Sequence, residues 1–223
     1  MEWPDLKNPR PRSEPKPYRP VVWPEAQFVP LPEGMIPDTP PFAVVVEARR
    51  TRYSFAPLLD DQLGALMQLT CRVRAALAGP LAFAQSHRPA PSAGAIHPVH
   101  VVVHRPGDAA LCRYDPFEHG LSQLDTSLEL SALRTAMHEV IDAPAGTLLL
   151  FVAEPGLTAS KYEDAASLVW RDAGVLLGTF AMAAEALSLN FSPIVVTGEP
   201  WASQLIPGAS LVGVGAAFVG ARA

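Results

Sequence analysis

Length, composition and charge narrow the class of protein. The chain has 223 residues, 49% of them hydrophobic, and a formal net charge of −5 at pH 7, which suits one domain of ordinary size with a substantial core. Lysine and arginine form only short clusters, so the composition argues against a nucleic-acid-binding surface.

The sequence also lacks the patterns of an exported or membrane-spanning chain. Its opening residues are polar and interrupted by proline, unlike a signal peptide. The longest apolar run, residues 173–187, contains Glu185 and is shorter than the ~20 residues that cross a bilayer. The two cysteines, Cys71 and Cys112, have neither zinc-ligand nor disulfide spacing. We therefore expect a cytoplasmic protein with reduced thiols.

Residues 1–40 are predicted to form a proline-rich arm ahead of a folded domain over residues 41–223. Half of the chain's 24 prolines lie within its first 41 residues. Since proline removes backbone donors and fixes φ, a helix or a central strand is excluded there. Aromatic residues such as Trp23 and Phe28 favour an arm docked on a folded surface over a disordered tail. In a polyproline conformation, at ~3.1 Å per residue, the arm is long enough to reach a neighbouring subunit.

The folded part is predicted to interleave helices and strands. In chain order, the apolar spacing indicates a helix over residues 42–50, a helix over 60–77, a loop over 86–98, a strand over 99–104, a hairpin of 111–114 and 122–124, a helix over 128–141, a strand over 147–153, a helix over 165–187, and strands over 194–196 and 211–219. This order lacks a strict strand–helix–strand rhythm, so we expect an α+β fold with a mixed sheet.

Two of these elements are predicted to be buried on more than one side. The strand over residues 147–153 is continuously apolar, which is typical of a strand covered on both faces. The helix over 165–187 is apolar on nearly every face, so it needs cover all round, from its own sheet or from a second subunit.

Three separated segments carry a resemblance to a known family. They are RRTRYSF at residues 49–55, RPAPSAGAIHP at 88–98, and KYED at 161–164 followed by RDAG at 171–174. Their order and spacing resemble the nitroreductase superfamily, and within it the SagB-type branch, which contains the azoline dehydrogenases of thiazole- and oxazole-modified peptide pathways. The resemblance covers about residue 28 to the C-terminus. It implies a nitroreductase-like fold, in which helices flank a mixed central sheet and a long apolar helix lies at the centre, and it implies FMN as the cofactor.

The arginine segment is similar to the family's binding site for the flavin phosphate. A dianionic phosphate needs charge-assisted donors, which adjacent arginines and a hydroxyl supply. The resemblance therefore implies that FMN contacts Arg49, Arg50 and Thr51. Tyr53 stands where relatives often have a basic residue, so one phosphate donor is lost, and Arg52 is a candidate to compensate. An isolated arginine pair would otherwise indicate a solvated turn.

The second segment combines a proline bend with small side chains, which let backbone approach a flat ring closely. The resemblance places against the isoalloxazine ring the residues Pro91, Ser92, Ala93, Gly94 and Ala95. The alternative is a tight loop before a strand.

The histidines after this loop do not indicate a metal site. His100 and His104 share one strand face but lie about 13 Å apart at ~3.3 Å per residue, too far to bind one ion. His97 points elsewhere. We expect no metal.

Lys161 and Tyr162 match the Lys-Tyr pair that azoline dehydrogenases are thought to use in catalysis. Oxidation of an azoline removes a proton from carbon and transfers a hydride to flavin N5. A base must therefore lie on the side of the substrate opposite the flavin ring. Either residue could act as that base while the other polarises the heterocycle nitrogen. The alternative is an exposed pair ahead of a helix whose first turn holds Glu163 and Asp164.

Three further residues match the family's cofactor site. Val195 and Val196 follow the long helix where relatives place a backbone amide near flavin N5. Arg222 lies where relatives often supply another phosphate ligand.

The predicted function is therefore FMN-dependent dehydrogenation of an azoline or similar heterocycle in a modified peptide, with dioxygen as the oxidant. One alternative is a general nitroreductase or enone reductase that takes hydride from NAD(P)H. Another is a non-catalytic subunit of a peptide-modifying complex, with the arm as its docking segment. We expect a homodimer with FMN at the subunit interface, since relatives pair through the long helix.

Overall fold

The computed structural model describes residues 5–33 and 36–222. Residues 1–4 and 34–35 of the predicted arm, and residue 223, lie outside this part. The helices are α1 (Phe42–Ala48), α2 (Asp60–Thr70), α3 (Leu130–Val140), α4 (Pro155–Lys161), α5 (Ala166–Ala186) and α6 (Trp201–Gln204). The strands are β1 (Arg10–Pro11), β2 (Glu25–Pro30), β3 (Ala75–Leu77), β4 (Gln85–His87), β5 (Val99–His104), β6 (Cys112–Asp115), β7 (Gly120–Leu124), β8 (Thr147–Ala153), β9 (Tyr162–Glu163), β10 (Leu189–Ile194) and β11 (Val212–Ala221).

A seven-stranded sheet organises the chain, in the order β10-β11-β8-β5-β6-β7-β2. The predicted α+β class is confirmed. Every strand pair within this sheet is antiparallel, so the expectation of a mixed sheet was wrong in this respect. Apolar periodicity predicts that a segment is a strand but not its direction, which depends on its neighbours.

The two faces of the sheet carry separate parts of the core. On β5, Val101 and Val103 pack into a cluster that includes Leu66 of α2 and Phe180 of α5. Val102, pointing the other way, packs with Leu133 of α3 and its neighbours. This alternation follows from the two-residue repeat of a strand. All seven residues of β8 are buried, as its continuous apolar sequence predicted.

The helix predicted over residues 60–77 is shorter in the structure. It ends at Thr70, and residues 75–77 form β3, which pairs with β4. The amide of Arg74 donates to the carbonyl of His87 at 2.8 Å. The spacing of the apolar residues fitted a helix, but the backbone there forms a hairpin with the next strand along the chain.

The strand predicted over residues 194–196 lies earlier in the chain. β10 spans Leu189–Ile194 because this segment pairs with residues 216–221 of β11. Val195 and Val196 therefore follow the strand in a loop. The other predicted helices and strands lie within two residues of their predicted bounds at either end, and β5 and β8 match them. The helices α4 and α6 and the strands β1, β2, β4 and β9 were not predicted.

The described part of the proline-rich segment contacts the rest of the chain. β2 forms the outer edge of the main sheet against β7, a position that tolerates Pro30 because one side of an edge strand needs no partner. Farther upstream, β1 pairs with β9. None of the helices in residues 5–33 and 36–222 has the length and apolar character needed to cross a membrane.

Candidate functional site

The loop before β5 is held on the first third of α5. Ser92 Oγ donates to Asp172 Oδ2 at 2.6 Å, and the amide of Ala93 donates to Asp172 Oδ1 at 3.1 Å. Ser92 Oγ also accepts from the amide of His97 at 2.9 Å. Burial raises the pKa of Asp172, although these hydrogen bonds oppose the shift. The buried carboxylate thus organises the loop that holds five of the predicted site residues.

Lys161 and Tyr162 lie directly against this loop at Gly94. A Cβ atom on Gly94 would lie 2.9 Å from both Lys161 Nζ and Tyr162 Oη, and the glycine has a left-handed φ of +66°. Gln85 Nε2 donates to the Gly94 carbonyl at 2.5 Å. The structure therefore brings together the second and third predicted segments, which are separated by more than sixty residues in sequence.

The local fold explains why the Lys-Tyr pair points here. α4 begins with Pro155 in its first turn and ends at Lys161, and Tyr162 continues into β9. The Lys161 carbonyl accepts from the amide of Arg12 at 2.9 Å. Lys161 Nζ lies 5.8 Å from the centre of the Tyr162 ring, within the range of a cation–π contact.

The arginine segment follows α1 and is open to solvent in part. Arg49 is half-buried, whereas Arg50, Thr51 and Tyr53 are exposed. Arg50 Nη1 donates to the carbonyl oxygens of Glu47 and Arg49, both at 2.7 Å. Within residues 5–33 and 36–222, no carboxylate lies within ion-pair distance of Arg49 or Arg50.

Glu185, near the end of α5, connects this segment to the C-terminal strand. Its carboxylate accepts from Arg52 Nη1 and, at 2.8 Å, from Arg222 Nη2. Burial works against ionisation, but the two arginines outweigh it and lower the pKa of Glu185. The structure thus brings Arg222 beside the predicted arginine segment, with both Arg52 and Arg222 already engaged by a carboxylate.

Val195 and Tyr53 line the same open cleft. Its volume is about 570 Å³, and Ile141 and Pro193 also line it. The side chain of Val195 is 94% exposed, and Val196 beside it is half-buried. The first predicted segment, Val195 and Arg222 therefore form one group.

The two groups lie at opposite ends of α5. Asp172 marks the loop group and Glu185 marks the arginine group, thirteen residues apart in the helix, which corresponds to about 20 Å at 1.5 Å per residue. Within one chain, these two groups of predicted site residues, which we call half-sites, are therefore separated.

Known structures share this arrangement of elements. No protein-family model and no curated protein sequence matches the chain. Among solved structures, a putative nitroreductase from Ralstonia eutropha JMP134 is 21% identical, with a TM-score of 0.64 over 94% of this chain and 98% of that one. The chain has the nitroreductase fold.

Two further structures share the nitroreductase fold. A chain of the E. coli microcin synthetase McbBCD complex with truncated pro-MccB17 bound is 13% identical, with a TM-score of 0.57 over 75% of this chain and 65% of that one. A putative nitroreductase in complex with FMN from Desulfovibrio desulfuricans is 14% identical, with a TM-score of 0.52 over 82% of this chain and 87% of that one. The nitroreductase-like fold predicted from the three sequence segments is confirmed.

Within this fold, two acidic residues that sequence reasoning did not assign organise the half-sites. Asp172 and Glu185 are buried in the otherwise apolar α5. A carboxylate in such a helix needs a partner, because burying an unpaired charge is costly. This signal was present in the sequence, but it does not say which partners are near.

The histidines of β5 and of the loop before it contact three different groups. His97 Nε2 lies 2.8 Å from the Ser86 carbonyl, and His100 Nε2 lies 3.1 Å from Glu154 Oε2. His104 Nε2 lies 3.1 Å from the Asp108 carbonyl. In the described part of the chain, no group of three metal-ligating side chains is close enough to hold an ion.

Proposed function

We propose that the protein is an FMN-dependent oxidoreductase that dehydrogenates an azoline or a similar heterocycle in a modified peptide. One observation carries the proposal: Lys161 Nζ and Tyr162 Oη lie beside Gly94 in a loop of small residues. A proton-accepting pair adjoins backbone that a flat ring can approach closely. The FMN bound to a solved structure of the same fold supports the choice of cofactor.

The residues present fit such a cofactor at both ends. Arg49 and Arg50 have no carboxylate partner among the described residues, and Thr51 adds an exposed hydroxyl, so the segment can hold a phosphate. Pro91–Ala95 supplies a surface without bulky side chains for the ring. Arg52 and Arg222 are bound to Glu185, and we assign them to positioning this segment rather than to direct phosphate contact.

The chemistry divides between the cofactor and the protein. Bound FMN would supply the acceptor for the hydride that leaves the substrate carbon, with dioxygen as the final oxidant. Of the Lys161 and Tyr162 side chains, one accepts the proton lost from the adjacent carbon, while the other donates a hydrogen bond to the heterocycle nitrogen. Asp172 holds the loop in place through Ser92 and Ala93.

A second copy of the chain is part of the proposal. The two half-sites lie about 20 Å apart along α5, and a homodimer places the arginine group of one protomer beside the loop group of its partner. α1 supports this arrangement, since only Val45 of its seven residues is buried and Phe42 is 74% exposed. Exposed apolar side chains grouped in this way mark a contact surface.

The cofactor is tested by the absorbance of the purified protein with and without added FMN. A flavin spectrum is expected, with tight binding. The double variant R49Q/R50Q should bind FMN at least about tenfold more weakly, because each charge-assisted hydrogen bond is worth ~1.5–3 kcal/mol. R74Q, the same substitution at a single exposed arginine outside both half-sites, should bind as the wild type does. A protein that retains no flavin after incubation with FMN and removal of the free cofactor would favour a non-catalytic subunit.

The reaction is tested with a heterocyclised peptide and the Lys161→Ala variant. Turnover should fall about 100-fold or more, since general acid–base catalysis contributes at least that much, while FMN affinity stays within twofold. Lys16→Ala, at an exposed lysine of the arm, serves as control. Unchanged turnover in Lys161→Ala would show that the catalytic assignment is wrong. Rapid bleaching by NADPH alone would favour a general nitroreductase or enone reductase.

A further inference from the structure

A second cavity lies where the main sheet opens between β5 and β6. β5 pairs with β8 along its whole length, from Val99 to His104. Within the described residues it pairs with β6 only at Val102 and Val103. The two strands separate beyond that point, and the gap between them forms a cavity of about 310 Å³. This volume is at the lower end of the range for small-molecule sites.

Arg88 points into this cavity without a counter-ion. Its Nε donates to Ser86 Oγ at 2.9 Å. Among residues 5–33 and 36–222, no acceptor lies within hydrogen-bond reach of its two terminal nitrogens, and no carboxylate lies within ion-pair distance. Arg88 is half-buried, and this burial lowers the pKa of its guanidinium from the ordinary value.

The other charged groups of the cavity are already paired. Arg113 forms ion pairs with Glu25 and Asp115. His100 and Tyr18 both hydrogen-bond to the carboxylate of Glu154. Arg88 is therefore the one side chain of the described cavity wall with free charge-assisted donors.

Aromatic side chains share the cavity with Arg88. The guanidinium carbon of Arg88 lies 5.9 Å from the centre of the Phe117 ring. Trp23, Phe83 and Tyr114 line the same space. An anionic group on Arg88 would thus have a flat apolar surface within reach for the rest of the molecule.

We propose that this cavity binds a small aromatic carboxylic acid, with its carboxylate on Arg88 and its ring against these aromatic side chains. The planar guanidinium presents two parallel N–H donors that match a carboxylate. A phosphate is the less suitable ligand, since it would need further free donors. The cavity adjoins the back of the loop Pro91–Ala95 through His97, and the proposal holds or fails independently of FMN.

Calorimetric titration of the full-length protein with sodium benzoate tests this proposal. One benzoate is expected to bind per chain, and benzamide, its neutral isostere, at least about tenfold more weakly, because it lacks the charge that Arg88 pairs with. Inorganic phosphate is expected not to compete. Equal binding of benzoate and benzamide, or displacement of benzoate by phosphate, would overturn the proposal. This comparison needs only the wild-type protein.

Substitution of Arg88 assigns the binding to the cavity. R88Q should weaken benzoate binding at least about tenfold, whereas R74Q should leave it unchanged. In a proton–nitrogen correlation spectrum, benzoate should shift the Trp23 indole signal and leave those of Trp170 and Trp201 in place. Unchanged affinity in R88Q, or a shift of the Trp170 or Trp201 signal without one of Trp23, would place the ligand elsewhere. FMN content, measured on the same samples, reports separately on the proposed function.

Discussion

Gly94 sets how closely the Lys-Tyr pair can approach the small-residue loop. Its φ of +66° is favourable for glycine and costs an L-residue roughly 1–2 kcal/mol. A side chain at this position would also displace Lys161 Nζ and Tyr162 Oη. Gly94 therefore meets two requirements, a left-handed backbone conformation and an absence of side-chain volume. Comparison with a glycine that meets only the first requirement separates the two.

Gly94→Ala is expected to lower both stability and turnover. The free energy of unfolding should fall by about 1 kcal/mol from backbone strain. Substrate oxidation should fall about 100-fold, because a displacement of about 1 Å at a catalytic group costs that much. Gly107→Ala is the matched control, since Gly107 has a φ of +86° with no neighbour within 4 Å. Equal turnover in the two variants would show that the space at Gly94 is unimportant.

The protonation of His97, in the segment that follows the same loop, makes the stability of the fold depend on pH. Burial, and then repulsion from Arg88, lower its pKa from 6.5 to about 4. In the unfolded chain the imidazole takes up a proton below about pH 6.5, whereas in the folded chain it does so only near pH 4. The stability that neutral His97 contributes is therefore present above pH 6.5 and is lost as the pH falls towards 4.

His97→Gln should reduce this pH dependence. Denaturant unfolding at pH 7 and pH 5 gives the loss of unfolding free energy on acidification. The wild type should lose about 2 kcal/mol more than the variant, from the difference in proton uptake at one group. His100→Gln is the comparison at a histidine outside the loop. Equal losses in the wild type and His97→Gln would show that the His97 pKa is ordinary.

Between β1 and β2, the arm contacts the residues at the start of α4. Tyr18 Oη donates to Glu154 Oε1 at 2.9 Å, and the amide of Val21 donates to the same oxygen at 2.7 Å. The Tyr18 ring also lies so close to Gly156 that a Cβ atom there would be 2.1 Å from it. A proline-rich segment has few backbone donors, so these side-chain contacts matter more than they would in an ordinary strand.

Gly156→Ala is expected to release this part of the arm. The added methyl group cannot coexist with the Tyr18 ring in its present position, so hydrogen exchange at the Val21 amide should become at least about tenfold faster. Gly174→Ala, another glycine within a helix but with no neighbour within 4 Å, should leave that amide protected. Continued protection in Gly156→Ala would show that other contacts hold the arm.

At the scale of the whole molecule, α1 and α5 present exposed apolar side chains. Val175 of α5 is 40% exposed, and the Cβ positions of Gly174 and Gly178 have no neighbour within 4 Å. A helix face of this kind allows another backbone to approach closely. A second copy of the chain would bury it and bring the two half-sites together.

Val175→Glu should convert the proposed dimer to a monomer. Light scattering at micromolar concentration should give the mass of two chains for the wild type and of one chain for the variant, because a buried unpaired carboxylate is too costly to retain at an interface. Val212→Glu is the matched control, since Val212 is 39% exposed but lies on β11. A wild-type monomer would contradict the dimer directly.

Some features follow from the sequence alone because they depend on local pattern. The apolar repeat predicted α5 to within one residue at each end, and the unbroken apolar run predicted β8 with its bounds. The segments at residues 49–55, 88–98 and 161–174 predicted the fold through their resemblance to the nitroreductase superfamily. The predicted assignments of individual cofactor-binding and catalytic residues stay predictions.

Other features required the tertiary structure, because they depend on which distant groups meet. The sequence does not show that Lys161 lies at Gly94, or that Glu185 engages both Arg52 and Arg222. The same is true of the hairpin that replaces the last turns of the predicted helix over residues 60–77, and of the cavity where β5 and β6 separate. Apolar periodicity records which side of an element is buried, whereas strand partners and charge pairs are selected only when the whole chain is packed.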